Sequence, residues 1–202
     1  MAEAKPEFLA YTVTSSLSME NTTHYLPCVH IGSGPIEKFL RPANPQPDSY
    51  WIVIISAKNP TEKVKEWIVP GYNNAVPPGI EAELDKEGYI FAVATHYLAT
   101  QNVPQDAFYN FLAKYGASRE LQRLEQLNAT LSYGTYGRVS YVLTGPTGGR
   151  GPPRPATYEI GAYANTNDLN YPAILMMSLQ LFGDSYGLSD TYTFNPHYGP
   201  RG

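Results

Sequence analysis

The chain has 202 residues and a formal net charge of −4, and its length predicts one domain with decorated ends. Its lysines and arginines form no cluster that could follow a phosphate backbone, which argues against nucleic-acid binding. Cys28 is the only cysteine, so no internal disulfide can form. No apolar run approaches the roughly 20 residues of a membrane helix.

The first quarter of the chain predicts two strands and a connector. Residues 8–14 are rich in aromatic and β-branched side chains and predict a first strand. Residues 25–31 predict a second strand, in which Pro27 requires an edge or a bulge because it lacks an N–H group. Residues 36–40 predict one helical turn, and the prolines of residues 41–48 predict an extended connector.

The strongest strand signals lie between residues 51 and 95. Residues 51–57 form a continuous apolar run, which predicts a strand buried on both faces. A turn separates this strand from residues 64–69, and the two strands predict a hairpin. Residues 80–86 predict one or two helical turns that stop at Gly88, and residues 89–95 predict a second buried strand.

Two helices are predicted next. The first spans residues 104–114, with Pro104 in its first turn, a cap at Asn102 or Val103, and Gly116 at its end. The second begins near residue 118. Its apolar stripe, which packs on a core or serves as a docking face, consists of Leu121, Leu124 and Leu127.

The last third of the chain predicts three strands, at residues 138–144, 157–163 and 173–181, the third with a short helix as its alternative. The elements together predict an α/β (α+β) fold class, with a mixed, largely β-sheet core flanked by two or three helices. The expected organisation is an N-terminal arm with edge strands, a single α/β domain, and an extended C-terminal tail. These three parts correspond to residues 1–48, 49–182 and 183–202.

Three pieces of the sequence together resemble a known family. The first is the strand pair at residues 51–55 and 64–69, around Lys58-Asn59-Pro60. The second runs from residue 80 through Gly88 into residues 89–95. The third comprises residues 108–118, then Tyr133-Gly134 and residues 139–149.

Over residues 50–150 this pattern resembles the interleukin-like EMT inducer and pancreatic-derived factor family. The resemblance implies a compact sheet-and-helix domain without established catalytic residues, and a related domain in a glycosyltransferase stem binds carbohydrate. The chain departs from the family in two ways. Thr95-His96-Tyr97 stands where the family has an acidic pair, and the disulfide cysteines are missing, which argues against secretion and a cytokine-like role.

His24, Cys28 and His30 combine residue types that bind transition metals. On a strand, Cys28 and His30 would share one face. A closed metal site usually needs four ligands, and no second ligand pair follows at a standard spacing. The sequence therefore predicts a buried structural thiol at Cys28 and no metal or cofactor.

A hydrolase would need one of two side chains. Cys28 as a nucleophile would require His24 or His30 as its base. His96 follows a buried strand, near the sheet end where ligands bind in open α/β folds. No recognisable signature surrounds either residue, so no catalytic residue is predicted.

Paired carboxylates for glycoside hydrolysis could come from a short acidic segment, although its alternating pattern favours a solvated helix face. That segment contains Glu81, Glu83, Asp85 and Glu87.

A carbohydrate site would use aromatic stacking beside polar amides. Trp67 offers an indole ring, and Tyr72, Asn73 and Asn74 form the best polar-aromatic loop. With His96, these four residues are the ligand-binding set predicted for this alternative.

The favoured interpretation is a non-enzymatic structural or interaction subunit. Charged residues make up only 16% of the chain, whereas tyrosine, proline and glycine are abundant, and tyrosine suits contact surfaces. The subunit would assemble with copies of itself or with partner proteins into a filament, shell or virion-type particle, through extended arms and tyrosine-rich surfaces. A carbohydrate-binding module and a small hydrolase are the alternatives. The polar N-terminus predicts no signal peptide and hence cytoplasmic synthesis.

Overall fold

Two antiparallel sheets and a layer of helices make up the described part of the chain. The structure is a computed structural model that describes residues 5–22, 25–33, 36–131, 137–148, 157–164 and 172–194. Within these residues it contains eleven strands and three α-helices. The predicted fold class, a largely β core flanked by helices, is confirmed.

The first sheet, called here the outer sheet, has five strands in the order β11-β10-β1-β2-β3. Its strands are β1 (Phe8–Thr14), β2 (Cys28–Ser33), β3 (Ile36–Leu40), β10 (Ile174–Phe182) and β11 (Ser185–Phe194). β1 lies at the centre, because Thr14 pairs with Ile174 on one side and with Cys28 on the other. The N-terminal strand is therefore a central strand, which corrects the expectation of an arm with edge strands.

Two further expectations change in this sheet. Residues 36–40 form β3 and not a helical turn, because all five pair with β2. The extended tail expected over residues 183–202 contains β11, which forms a hairpin with β10; residues 195–202 lie outside the described part. The strand predicted at residues 173–181 is confirmed as β10, so the helical alternative is wrong.

The second sheet, called here the inner sheet, has the order β5-β4-β6-β8, and β9 pairs with the far side of β8. The two-residue strand β7 also pairs with β8. The strands are β4 (Ser49–Ser56), β5 (Lys63–Pro70), β6 (Tyr89–His96), β7 (Leu98–Ala99), β8 (Arg138–Pro146) and β9 (Tyr158–Ala164). The hairpin predicted in this region is confirmed by the pairing of β4 with β5.

Three helices pack on the inner sheet. They are α1 (Ile80–Leu84), α2 (Asp106–Lys114) and α3 (Arg119–Leu131). All three were predicted, although α2 begins after Gln105 and not at Asn102 or Val103. Gly116 follows the end of α2 with φ of 102°, a backbone conformation that favours glycine. Leu121 and Leu124 are buried against the sheet, so this stripe packs on the core.

The inner sheet separates two hydrophobic cores. Along β4, Trp51 and Val53 face the core shared with the outer sheet, whereas Ile52 and Ile54 face the core under the helices. Successive strand side chains point to opposite faces, so a strand between two cores must be apolar at every position. This explains the continuous apolar run that the sequence shows at residues 51–57.

Candidate functional site

Trp67 lies on β5 and faces the helix side of the inner sheet. Its half-buried ring packs against the core under the helices, and Lys65 Nζ lies 5.3 Å from the ring centroid. One part of the indole is therefore covered by the core and another by a lysine. This geometry is that of a packing residue with a cation–π contact.

The predicted polar-aromatic loop follows β5. Tyr72 projects outward and is 78% exposed. Asn73 Oδ1 accepts a hydrogen bond from the Ala75 amide at 3.0 Å, and Asn74 Oδ1 accepts one from the Gln105 amide at 3.3 Å. Both amide oxygens therefore hold the loop itself and its contact with the start of α2.

His96 ends β6 on the opposite face of the sheet from Trp67. Its side chain is 1% exposed, and neither ring nitrogen makes a hydrogen bond of normal geometry with a described residue. Burial lowers the pKa of His96, and the nearby backbone groups of Ser18 and Gln46 oppose this shift. The ring is therefore neutral near pH 7.

The five residues of the predicted carbohydrate set do not converge. Ser49 pairs with both His96 and Pro70, so His96 and the loop around Tyr72 lie at the same end of the inner sheet. The His96 ring, however, points between the sheets, whereas Trp67 points toward the helices. The structure thus brings Tyr72, Asn73 and Asn74 together and separates them from the other two side chains.

The cysteine and histidine of β2 share one face, as the sequence predicts, and His24 lies outside the described residues. Cys28 is half-buried and points away from the core that Val29 and Ile31 face, which corrects the expectation of a buried thiol. Its partial burial raises the pKa of the thiol, and the charge of Arg41 acts in the opposite direction. His30 stacks on Phe39 with ring centroids 4.4 Å apart, and its Nε2 lies 3.2 Å from Glu37 Oε1. Among the described residues, no group of three or more metal-binding side chains converges.

The acidic segment around α1 is engaged in surface ion pairs. Glu81 Oε1 lies 2.7 Å from Lys114 Nζ, and Glu83 contacts the ammonium groups of Lys65 and Lys86 at 3.1 and 2.5 Å. These pairs fit the solvated helix face that the sequence favours over a catalytic carboxylate pair.

An open cavity of about 310 Å³ lies beside the end of β1. Its lining consists of Thr14, Ser15, Ser16, Leu17, Ser18, Tyr25, Leu26 and Pro172. The hydroxyls of Ser15 and Ser16 donate hydrogen bonds to the carbonyl oxygens of Ala173 and Tyr25. The described residues of this lining offer no carboxylate, imidazole or amine for acid–base chemistry.

The side of the outer sheet that points away from the inner sheet is called here the outer face. Leu9, Tyr11 and Val13 of β1 point into the core, so the alternate side chains point outward. Large apolar side chains are exposed on this face: Phe8 (43%), Phe39 (47%), Met176 (37%) and Phe182 (60%). They are half of the eight large hydrophobic side chains exposed in the described part of the chain.

The described charges of the outer face lie at its β3 edge. Between its apolar side chains lie small or uncharged ones, including Ala10, Thr12 and Ser178. Among the outward-pointing side chains that the structure describes in this sheet, Glu37 is the only carboxylate, and it lies on the edge strand β3. The guanidinium of Arg41 lies 5.2 Å from the ring centroid of Phe39 at the same edge. An exposed apolar sheet face with a polar edge is typical of a protein contact surface.

No protein-family model matches this chain, and no curated protein matches it significantly. The resemblance over residues 50–150 therefore stays a prediction. In the described part of the chain, no helix is both long and apolar enough to cross a membrane.

Proposed function

We propose that this chain is a non-enzymatic subunit of a protein assembly, and that the outer face is its contact surface. The supporting observation is the concentration of exposed apolar side chains on one sheet face whose described charges, Glu37 and Arg41, lie at the β3 edge. Burying four half-exposed side chains of this size would contribute on the order of 4 kcal/mol to association. Side chains of this kind serve as anchors when they enter pockets on a partner.

The two alternative functions lack a comparable observation. For carbohydrate binding, Trp67 is partly covered by Lys65, and the amide oxygens of Asn73 and Asn74 already accept backbone hydrogen bonds. For hydrolysis, the His96 ring is buried, and no described nucleophile is hydrogen-bonded to it. Both alternatives stay predictions.

The proposal is tested by the solution mass of the purified chain, measured by light scattering over a wide concentration range. We expect the mass to rise with concentration, because apolar contact between subunits follows mass action. The variant Phe39→Ser/Met176→Ser/Phe182→Ser should remain monomeric. Its matched control, Met19→Ser/Val64→Ser/Tyr72→Ser, removes from other surfaces apolar side chains that are on the whole more exposed and should associate like the wild type. A monomeric wild type at every concentration would overturn the proposal.

A further inference from the structure

We infer that the outer face docks on the same face of a second copy, about a two-fold axis that runs across strands β1 and β10. This inference rests on the function proposed above and specifies its partner. A two-fold interface uses the same patch on both subunits, so that patch must be complementary to itself. The cross-strand register of the outer sheet provides this complementarity.

Two neighbouring rows of side chains cross the outer face at right angles to the strands. The bulky row consists of Met176, Thr12, His30 and Phe39, which are cross-strand partners in register. The small row, two positions along each strand, consists of Ser178, Ala10 and Gly32, and it ends at the larger side chain of Glu37 on the edge strand β3. A ridge therefore lies beside a depression.

The open part of the depression lies on β1 and β10. At Gly32 the His30 ring leans into the small row, since a Cβ atom there would lie 3.1 Å from His30 Nε2. Ala10 is exposed and Ser178 is half-buried, so these two residues form the accessible floor. Met176, which is 37% exposed, rises beside Ser178.

A two-fold rotation about a line between the rows exchanges ridge and depression. It orients the outer face of the second copy toward the outer face of the first and places the bulky row of the second copy over the small row of the first. Met176 of each copy then lies over Ser178 of the other, and Thr12 lies over Ala10. Because the two copies are equivalent under a two-fold axis, each contact occurs twice.

The size and charge of the face agree with this arrangement. Five strands about 4.8 Å apart, each roughly seven residues long, span about 24 by 23 Å. Face-to-face contact would bury on the order of 1,100 Å² in total, just above the roughly 1,000 Å² expected of a specific interface. Glu37, 3.2 Å from His30 of its own chain, and Arg41, over the Phe39 ring, lie at the β3 edge of the face. The described side chains at its centre therefore bring no like charges together.

Charged variants of two outward-facing residues test the axis. Ala10→Asp and Thr12→Lys each place an unpaired charge in the contact, and each should raise the dimer dissociation constant by at least about a hundredfold. An equimolar mixture of the two variants should form a heterodimer, because the introduced carboxylate of one copy then lies opposite the introduced ammonium of the other. Sedimentation velocity measures all three samples. The control is Ala113→Asp, at an exposed position of α2, which should dimerise like the wild type.

The possible results separate this inference from the function on which it rests. Heterodimer formation from two monomeric variants supports the axis. If the wild type associates through the outer face but the mixture stays monomeric, the axis is wrong and the contact surface stands. If the wild type is monomeric at every concentration, both the axis and the proposed function fail. Circular dichroism of each variant checks that it is folded.

Discussion

His96 is a buried histidine whose ring nitrogens lack normal hydrogen bonds within the described residues. It lies where the two sheets meet, because Ser16, just after β1, forms a bridge with His96 at the end of β6. The Tyr97 amide also donates a hydrogen bond to the Ser16 carbonyl at 2.7 Å. Protonation of this ring would place a buried charge beside the residues after β1 that contact the inner sheet, at a large desolvation cost.

We expect His96 to make the fold less stable in acid. Its pKa in the folded state lies below the ordinary value of 6.5, so the unfolded state binds more protons as the pH falls. The contribution is complete above pH 6.5 and is lost as the pH falls toward the folded-state pKa. Urea unfolding at about pH 7.5 and about pH 5.5 measures it.

The variant His96→Met should lose this part of the pH dependence and should be at least as stable as the wild type at neutral pH, because it removes an unsatisfied buried polar group. The control His30→Gln leaves His96 in place and should retain the dependence. An unchanged slope in His96→Met would show that other groups cause the acid sensitivity.

At the scale of elements, β9 caps the start of α3 through a single carboxylate. Glu159 Oε1 accepts hydrogen bonds from the Ser118 amide at 2.9 Å, the Ser118 hydroxyl at 2.8 Å and the Glu120 amide at 2.9 Å. Its Oε2 accepts one from the buried Tyr141 hydroxyl at 2.7 Å. A negative charge at a helix N-terminus also interacts favourably with the helix dipole, so Glu159 joins α3 to the inner sheet.

Removing this cap should destabilise the whole fold. We expect Glu159→Ala to lower the free energy of unfolding by about 3 kcal/mol, because helix amides and a buried phenol lose their acceptor. Chemical denaturation measures the change. Glu125→Ala, on an exposed position of α3, should change it by less than about 0.5 kcal/mol. Equal effects of the two substitutions would contradict the assigned role of Glu159.

The sequence predicted those elements whose local pattern agrees with their surroundings. β4 and β6 were recognisable because burial on both faces makes them continuously apolar, and α2 and α3 because their apolar side chains recur at helical spacing. β3 was misread as a helical turn, since Glu37 and Lys38 lack a strand pattern, and pairing with β2 overrides their local preference. β11 was missed because polar residues and Gly187 separate its apolar side chains, although Tyr186 and Leu188 alternate toward the core; its pairing with β10 decides its conformation.

At the scale of the whole molecule, the sheet assignment depends on partners far apart in sequence. No local periodicity indicates that β1 pairs with β10. The candidate contact surface was missed for the same reason, because Phe8, Phe39, Met176 and Phe182 lie on three different strands and only the register places them on one face. Alternation within a strand such as β1 identifies its outward-facing residues, but it does not identify the strands that lie beside it.

Deletion of β11 should compromise the fold as a whole. Removing residues 185–202 exposes the edge of β10 and takes Tyr186 and Leu188 from the core between the sheets. We expect a loss of at least about 3 kcal/mol in unfolding free energy and a less soluble protein, because an open apolar edge pairs with other chains. Urea unfolding and sedimentation measure both effects.

The shorter deletion of residues 195–202 is the control, since it leaves every strand that the structure describes. It should unfold at nearly the same urea concentration as the full chain. If the longer deletion has the same free energy of unfolding, β11 covers the edge of β10 without stabilising the fold.

The central position of β1 also sets an order on biosynthesis. Ser15 and Ala173, 158 positions apart, are hydrogen-bonded where β1 ends and β10 begins. β1 therefore leaves the ribosome long before β10 and can pair with β2, while its other edge stays open until β10 has been translated. Non-local pairing of this kind is slow and leaves partly folded chains prone to aggregate. Translation products that end before β10 would keep that edge open permanently, so incomplete synthesis is a particular hazard for this protein.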